Sequence, residues 1–184
     1  MATLADLGVE ARCCVRCALA KGRTNVVFGA GDASAGLMFV GEGPGHDEDI
    51  AGLPFVGRSG KLLDRLMAEE LGIDRSACYI ANVVKCRPPG NRDPLPDEIA
   101  SCRPYLDAQV DLIDPRVVVT LGNFATRALL DTTERISDLR GRVYPFRGRA
   151  LVPTYHPAAA LRAGGAMLAA MRADLIRAKR ELAR

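Results

Sequence analysis

The run Arg116-Val117-Val118-Val119-Thr120-Leu121 is continuous in apolar and β-branched residues. A strand with one wet face alternates apolar and polar residues, whereas one without alternation is covered on both faces, as in a parallel sheet between helical layers. Leu37-Met38-Phe39-Val40 and the stretch Tyr79 to Val84 repeat the pattern more briefly. Between these runs the period changes. Ser59 to Leu71 carries apolar residues at helical spacing, Pro96-Asp97-Glu98 opens a helix through about Leu112, and Asn123 is placed to cap a short helix to Leu130. Two extended pieces, 142–146 and 150–154, precede a closing helix rich in Ala, Leu, Met and Arg. Strands alternating with helices predict an α/β sheet covered on both faces. In 184 residues there is no repeat, low-complexity tract or linker, so one domain over 1–184 is expected.

In open α/β sheets ligands bind beyond the carboxyl ends of the strands, and here those ends carry Glu42, Asn82, Asn123 and His156. The loop after the first strand is Gly41-Glu42-Gly43-Pro44-Gly45-His46-Asp47-Glu48-Asp49. It is not a dinucleotide turn: the third glycine of G-x-G-x-x-G falls on His46, and Asp47 to Asp49 would face a pyrophosphate. The glycines instead leave room for a flat ring to approach the backbone. Gly52-Leu53-Pro54-Phe55-Val56-Gly57 then offers an aromatic face, and Asn82 an amide beside it. An amide suits uracil, accepting from N3–H and donating to O4, whereas cytosine reverses both positions. Taken singly, Asn82 reads equally well as a strand-end turn residue, and His156 beside Pro157 as a helix cap.

The formal net charge is only +3, but the basic residues are grouped. Arg162, Arg172, Arg177, Lys179, Arg180 and Arg184 crowd the C-terminal segment; Lys85, Arg87, Arg92 and Arg103 form a second group, and Arg140, Arg142, Arg147 and Arg149 a third. Such groups permit contact with a polyanion; the alternative for each is a solvated face. The chain starts without a basic segment leading into a long apolar core, and no run reaches the roughly 20 apolar residues of a membrane span. A cytoplasmic protein with no membrane partner is expected. Thiols stay reduced there, so the six cysteines point to metal ligands before disulfides. Cys14-x2-Cys17 lets a tight turn deliver two thiolates to one centre, and Cys86 and Cys102 close the set across a loop. Four such ligands suit tetrahedral zinc and a four-iron cluster alike. Cys78, just before a strand, reads as a small core residue, and Cys13 leaves a Cys13-x3-Cys17 spacing open.

Taken together, Gly41-Glu42-Gly43-Pro44-Gly45 with Glu48-Asp49, Gly52-x-Pro54-Phe55-Val56-Gly57, Asn82-Val83-Val84-Lys85-Cys86-Arg87-Pro88-Pro89 and His156-Pro157-Ala158 resemble the motifs of the family-4 uracil-DNA glycosylases. The resemblance runs from about Cys14 to Arg162 in the family's order. It implies a three-layer α/β/α sandwich around a four-stranded parallel sheet. It also implies a [4Fe-4S] cluster on Cys14, Cys17, Cys86 and Cys102, built from the N-terminal segment and the 86–102 loop. The implied activity is hydrolysis of the N-glycosidic bond of deoxyuridine by a monomer acting on uracil-containing DNA, single- or double-stranded. Glu42 and His156 would be catalytic. Gly41, Gly43, Glu48, Asp49, Phe55 and Asn82 would hold the base, and Ser59, Ala160, Leu161 and Arg162 would contact DNA.

Three positions depart from what the wider superfamily leads one to expect. Gly43 stands where other families keep a water-activating Asp or Asn; Ala160 stands where a wedging Leu is common, with Leu161 beside it; and His46 replaces an acidic or small residue, reading as a solvated loop histidine. The segment 90–96 has no histidine, so turnover rather than covalent capture of DNA is implied. Two other classes compete: a uracil-DNA-binding protein with weak or no turnover, and an iron–sulfur redox protein, for which the sequence offers no second cofactor site.

Overall fold

Strands β2 (Leu37–Gly41) and β4 (Val117–Leu121) are buried along their whole length, as their unbroken apolar runs require. The computed structural model describes residues 3–184. The other strands are β1 (Ala30–Gly31), β3 (Tyr79–Asn82), β5 (Tyr144–Phe146) and β6 (Arg149–Thr154). The helices are α1 (Leu4–Arg12), α2 (His46–Ala51), α3 (Arg58–Leu66), α4 (Pro96–Ile113), α5 (Asn123–Leu130), α6 (Ile136–Leu139), α7 (Pro157–Ala163) and α8 (Gly165–Leu182).

The sheet order is β1-β3-β2-β4-β6-β5, six strands rather than the expected four. The expected four are its parallel centre, β3, β2, β4 and β6, and β1 and β5 add antiparallel pairs at the two edges. β5 falls within the extended piece expected over 142–146, whereas β1, two residues long, is too short for side-chain periodicity to reveal it. Pro145 in β5 also belongs to an edge, where no ladder N–H is needed.

Alternation along the central strands divides the core. Leu37, Phe39, Val117, Val119 and Leu121 meet Leu62, Leu63 and Leu66 of α3 and Met171, Leu175 and Ala178 of α8. Met38, Val40 and Val118 meet Leu106, Val110 and Ile113 of α4 and Ala125 and Leu129 of α5. The result is the three-layer sandwich. From central β2 the chain crosses to β3 on one side, then through α4 to β4 on the other, so the winding reverses at β2. The crevice between the loops after β2 and β4 is where this topology opens a ligand site.

Local differences from expectation have local causes. The helix expected over 59–71 is α3 followed by one wider π-helical turn, Met67–Leu71, and ends at Gly72. The single closing helix is two, α7 and α8, parted by Gly164 with φ 82°. Asn123 does not cap α5 but is its first residue; Gly122 precedes it at φ 89°, a conformation that favours glycine. The Asn123 Oδ1 instead accepts from the Ile136 amide at 2.8 Å, tying α5 to α6. Among the described residues no helix is long and apolar enough to cross a membrane.

Most of the grouped arginines are consumed by ion pairs. Arg147 pairs with Asp107 and Asp111, Arg149 with Asp114, Arg103 with Asp107, Arg92 with Glu98, and Arg172 with Glu69 and Glu70. The deepest network joins α8 to the end of β6: fully buried Asp174 accepts from Arg140 Nε at 2.9 Å and Nη2 at 3.0 Å, and from Thr154 Oγ1 at 2.9 Å. Removing one partner of such a network strands the other, so Asp174→Ala should lower unfolding stability by about 3–5 kcal/mol. Chemical denaturation against a surface control such as Asp97→Ala checks this.

Candidate active site

The loop after β2 accounts for its own acids. His46 to Ala51 coil into α2, whose first turn carries Asp47, Glu48 and Asp49 at the end where backbone N–H groups lack partners and the helix dipole favours negative charge. Glu48 does more. Its Oε2 accepts from the Gly45 amide at 3.1 Å, and its Oε1 from the amides of Val56 and Gly57, both at 2.9 Å. One carboxylate thus closes the glycine loop onto the loop that follows α2.

That second loop carries Phe55, whose φ of 54° is in the left-handed region. For a non-glycine residue this conformation persists only where the surroundings over-determine it. Glu48 holds the two residues after it, while Arg75 donates from Nη1 to the Pro54 carbonyl at 2.8 Å and from Nη2 to the Phe55 carbonyl. Asp64 anchors Arg75 from the other side at 2.6 Å. Beneath lies Gly60 of α3, where any Cβ would collide with the Phe55 carbonyl. The sequence motifs mark Phe55 but neither Arg75 nor Gly60, because both act through contacts that only the folded chain makes.

The ring so fixed lies 5.7 Å from the His156 ring, centroid to centroid, tilted by 32°. At Gly41 a Cβ would stand 2.5 Å from Asn82 Oδ1 and 2.6 Å from Phe55 Cζ, so glycine there lets amide and ring close on one another. Parallel pairing of Gly41 with Asn82 sets that register. Asn82 is 1% exposed, and neither its Nδ2 nor its Oδ1 has a hydrogen-bond partner. Its carbonyl is not orphaned: buried Lys85 donates from Nζ to it and to Gln109 Oε1, both at 2.6 Å. Burial pulls the Lys85 ammonium down to about 8, against an opposing effect of Cys102.

His156 precedes Pro157 and does cap α7: its Nδ1 accepts from the Ala158 amide at 3.1 Å. Burial first, and then the charge of Arg162, pull its pKa down to about 4, with Glu48 opposing. The ring is therefore neutral near pH 7, and because Nδ1 is an acceptor the proton sits on Nε2. Glu42 shows the opposite shift, pushed up to about 7 by burial and then by the charge of Asp93.

Glu42, Gly43, Glu48, Phe55, Ser59, Asn82, Asn123, His156 and Arg162 all line one cleft of about 630 Å³. The four strand-end groups expected to converge do so. Of the expected site residues, Gly41, Asp49, Ala160 and Leu161 do not line the cleft. Buried Asp49 turns away from the cleft and accepts from the Thr24 and Asn25 amides, fixing the segment before β1. Ala160 is 5% exposed and packs in the core, while Leu161 beside it is 42% exposed. Gly43 cannot take a side chain without displacing Val84, whose Cγ2 would lie 2.7 Å from its Cβ. His46 is exposed at the cleft rim, its Nδ1 3.3 Å from Arg87 Nη1.

A second, smaller cavity behind Lys85 is lined by Cys14, Cys17, Cys86 and Cys102 together with Arg23 and Tyr105. Arg23 Nη1 stands 3.5 Å from Cys86 Sγ and donates to the Cys14 carbonyl at 2.6 Å, and the Lys85 amide donates to Cys102 Sγ at 3.3 Å. All six cysteines are free thiols. Cys13 is exposed and Cys78 is buried in the core, so neither joins the four.

The sequence model of the Uracil DNA glycosylase superfamily matches residues 28–179. The chain is 46% identical over 169 residues to the Type-4 uracil-DNA glycosylase of Sulfurisphaera tokodaii, covering 88% of this chain and 77% of that one. It is 49% identical over 160 residues to the Type-4 enzyme of Saccharolobus solfataricus, covering 83% and 74%, and 44% identical over 169 residues to that of Archaeoglobus fulgidus, covering 88% and 84%.

An orphaned buried amide costs about 1–3 kcal/mol. Asn82→Leu, which removes it at similar volume, should therefore raise the stability of the free protein, a gain read as a higher denaturation midpoint.

Proposed function

The chain belongs to the uracil DNA glycosylase superfamily, sharing most of its length with Type-4 members, and we propose that it excises uracil from DNA, leaving an abasic site and free uracil. The observation that carries this reading is the unpartnered Asn82 amide, buried against the Phe55 ring at the base of a cleft. A buried donor and acceptor left unpaired side by side are a standing loss unless a ligand supplies the complementary pair, and the edge of uracil does.

A base within a duplex is out of reach and is flipped outward, at a cost of a few kcal/mol that is smallest for mispaired or single-stranded uracil. Flipped uracil stacks on Phe55 and pairs N3–H and O4 with Asn82. As the C1′–N1 bond breaks, its electron pair goes to the base and the sugar becomes cation-like; water oxygen then bonds to C1′ and releases a proton. Neutral His156 donates from Nε2–H to uracil O2, where negative charge builds. Glu42, when ionised, favours the cationic sugar or orders the water. Preorganised donors act before charge develops, so His156→Ala should lose about 10²–10³-fold in single-turnover rate.

The four cavity-lining cysteines fit a [4Fe-4S] cluster, with Arg23 and the Lys85 amide as positive and N–H partners to sulfur. Among the described residues no three candidate ligands converge on a single ion, and a four-iron cluster would need these four thiolates as its ligands. Cys14 and Cys17 would hold such a cluster from the N-terminal segment and Cys86 and Cys102 from the 86–102 loop, and it would supply a cross-link between the two. We read the protein as a cytoplasmic monomer. Purified protein should be brown. It should release uracil from single-stranded oligonucleotides, with alkali then cleaving the abasic strand; colour without strand cleavage would favour the redox alternative, and retention of DNA without cleavage a binding protein.

The pH dependence follows from the two shifted groups. Glu42 loses its proton as pH rises through about 7, so single-turnover excision should climb through that range and level above it. His156, neutral above about 4, adds no limb there. Glu42→Gln should flatten the profile. An unflattened profile at an unchanged rate would remove Glu42 from the chemistry.

A further inference from the structure

Phe124 was not singled out by any motif, yet it lines the cleft at the second position of α5. The helix turns Ala125, Thr126 and Leu129 inward, and Phe124 belongs to neither core cluster. It remains partly exposed, and Ile136 and Tyr155 line the same cleft. Its position relative to the chemistry is set by Gly122, whose Cβ would stand 3.0 Å from His156 Cβ. The Asn123–Ile136 hydrogen bond holds this end of α5.

The two halves of the cleft differ in charge. The chain after β2 and β3 brings Glu42, Asp47, Glu48 and Asp93 to its lining, together with Arg58 and with Arg92, which Glu98 holds; the segments after β4 and β6 bring no acid but do bring Arg162, which like Arg58 has no ion-pair partner among the described residues. A phosphate backbone is accommodated along the acid-free side. A cleft of about 630 Å³ is also larger than one pyrimidine base requires.

We propose that Phe124 is a stacking platform for the base that adjoins the flipped uracil on the same strand, with Arg162 serving its phosphate, so that the site takes up a stretch of unstacked strand rather than a lone base. This rests on the uracil-excision reading above. Every base presents a π-face, and a stack of this kind contributes about 1–3 kcal/mol. It is independent of Asn82, which reads only the extruded base.

The test uses three measurements on the intact protein. F124L keeps an apolar side chain but loses the ring, and should raise KM for a single-stranded uracil oligonucleotide by about 5- to 150-fold, as that stacking energy converts. F124W should restore KM. Because the chain contains no tryptophan, its indole is also the sole such reporter, and its emission should be quenched by a uracil-containing oligonucleotide but not by free uracil. Replacing the base on either side of uracil by an abasic analogue should locate the partner: at the correct side it raises KM for the wild type and has no added effect on F124L. Wild-type KM in F124L, or equal abasic penalties in both proteins, would overturn the proposal while leaving excision intact. Failure of the wild type to release uracil at all would instead overturn the reading on which it rests.

Discussion

The carboxylate of Glu48 is the interaction from which the rest of the site follows. Three backbone amides converge on it, one before α2 and two beyond Phe55. The glycine loop and the aromatic loop are thereby one body. Without that anchor Phe55 would relax from its left-handed backbone, and the ring would no longer cover the Asn82 amide. The run of acids that excludes a phosphate-binding turn is thus chiefly structural: Glu48 ties loops, Asp49 holds the segment before β1, and the first turn of α2 accepts the remaining charge.

Two polar networks buttress this body from opposite ends of the sheet. On the β3 side Lys85 reaches the Asn82 carbonyl and Gln109, and Gln109 Nε2 continues to the Phe28 carbonyl at 2.8 Å. On the β6 side Asp174 gathers Arg140 and Thr154 immediately before His156. Each sits where a strand ends and the chain would otherwise be free to fray. Lys85 also lies between the cleft and the cysteine cavity, its side chain serving the base-reading strand and its amide facing Cys102. Order at the cysteines and order at Asn82 are joined through that one residue.

What the sequence made legible is what local chemistry determines. Unbroken β-branched runs identified the parallel strands, and polar residues at their ends identified the cleft. Positions set by tertiary contact were hidden. Gly60 and Arg75 matter because of a carbonyl in another loop. Ala160 looked like a DNA-facing position from its distance to His156, but the first turn of α7 rotates its methyl into the core. The arginine groups suggested a broad polyanion surface, yet acids from other elements pair with most of them, and of those left unpaired Arg162 lines the cleft. The two residues of edge strand β1 are too few to carry a periodic signal.

The cap on α7 has a consequence for how protons move. A histidine whose Nδ1 is committed to a backbone amide has one tautomer and no second nitrogen free to pass a proton onward. His156 is a fixed dipole, not a relay. A ring so fixed can hydrogen-bond negative charge in the cleft through Nε2–H but cannot pass a proton across itself. The burial that keeps the ring neutral thus leaves Glu42, not His156, as the one of the two that changes charge near neutral pH.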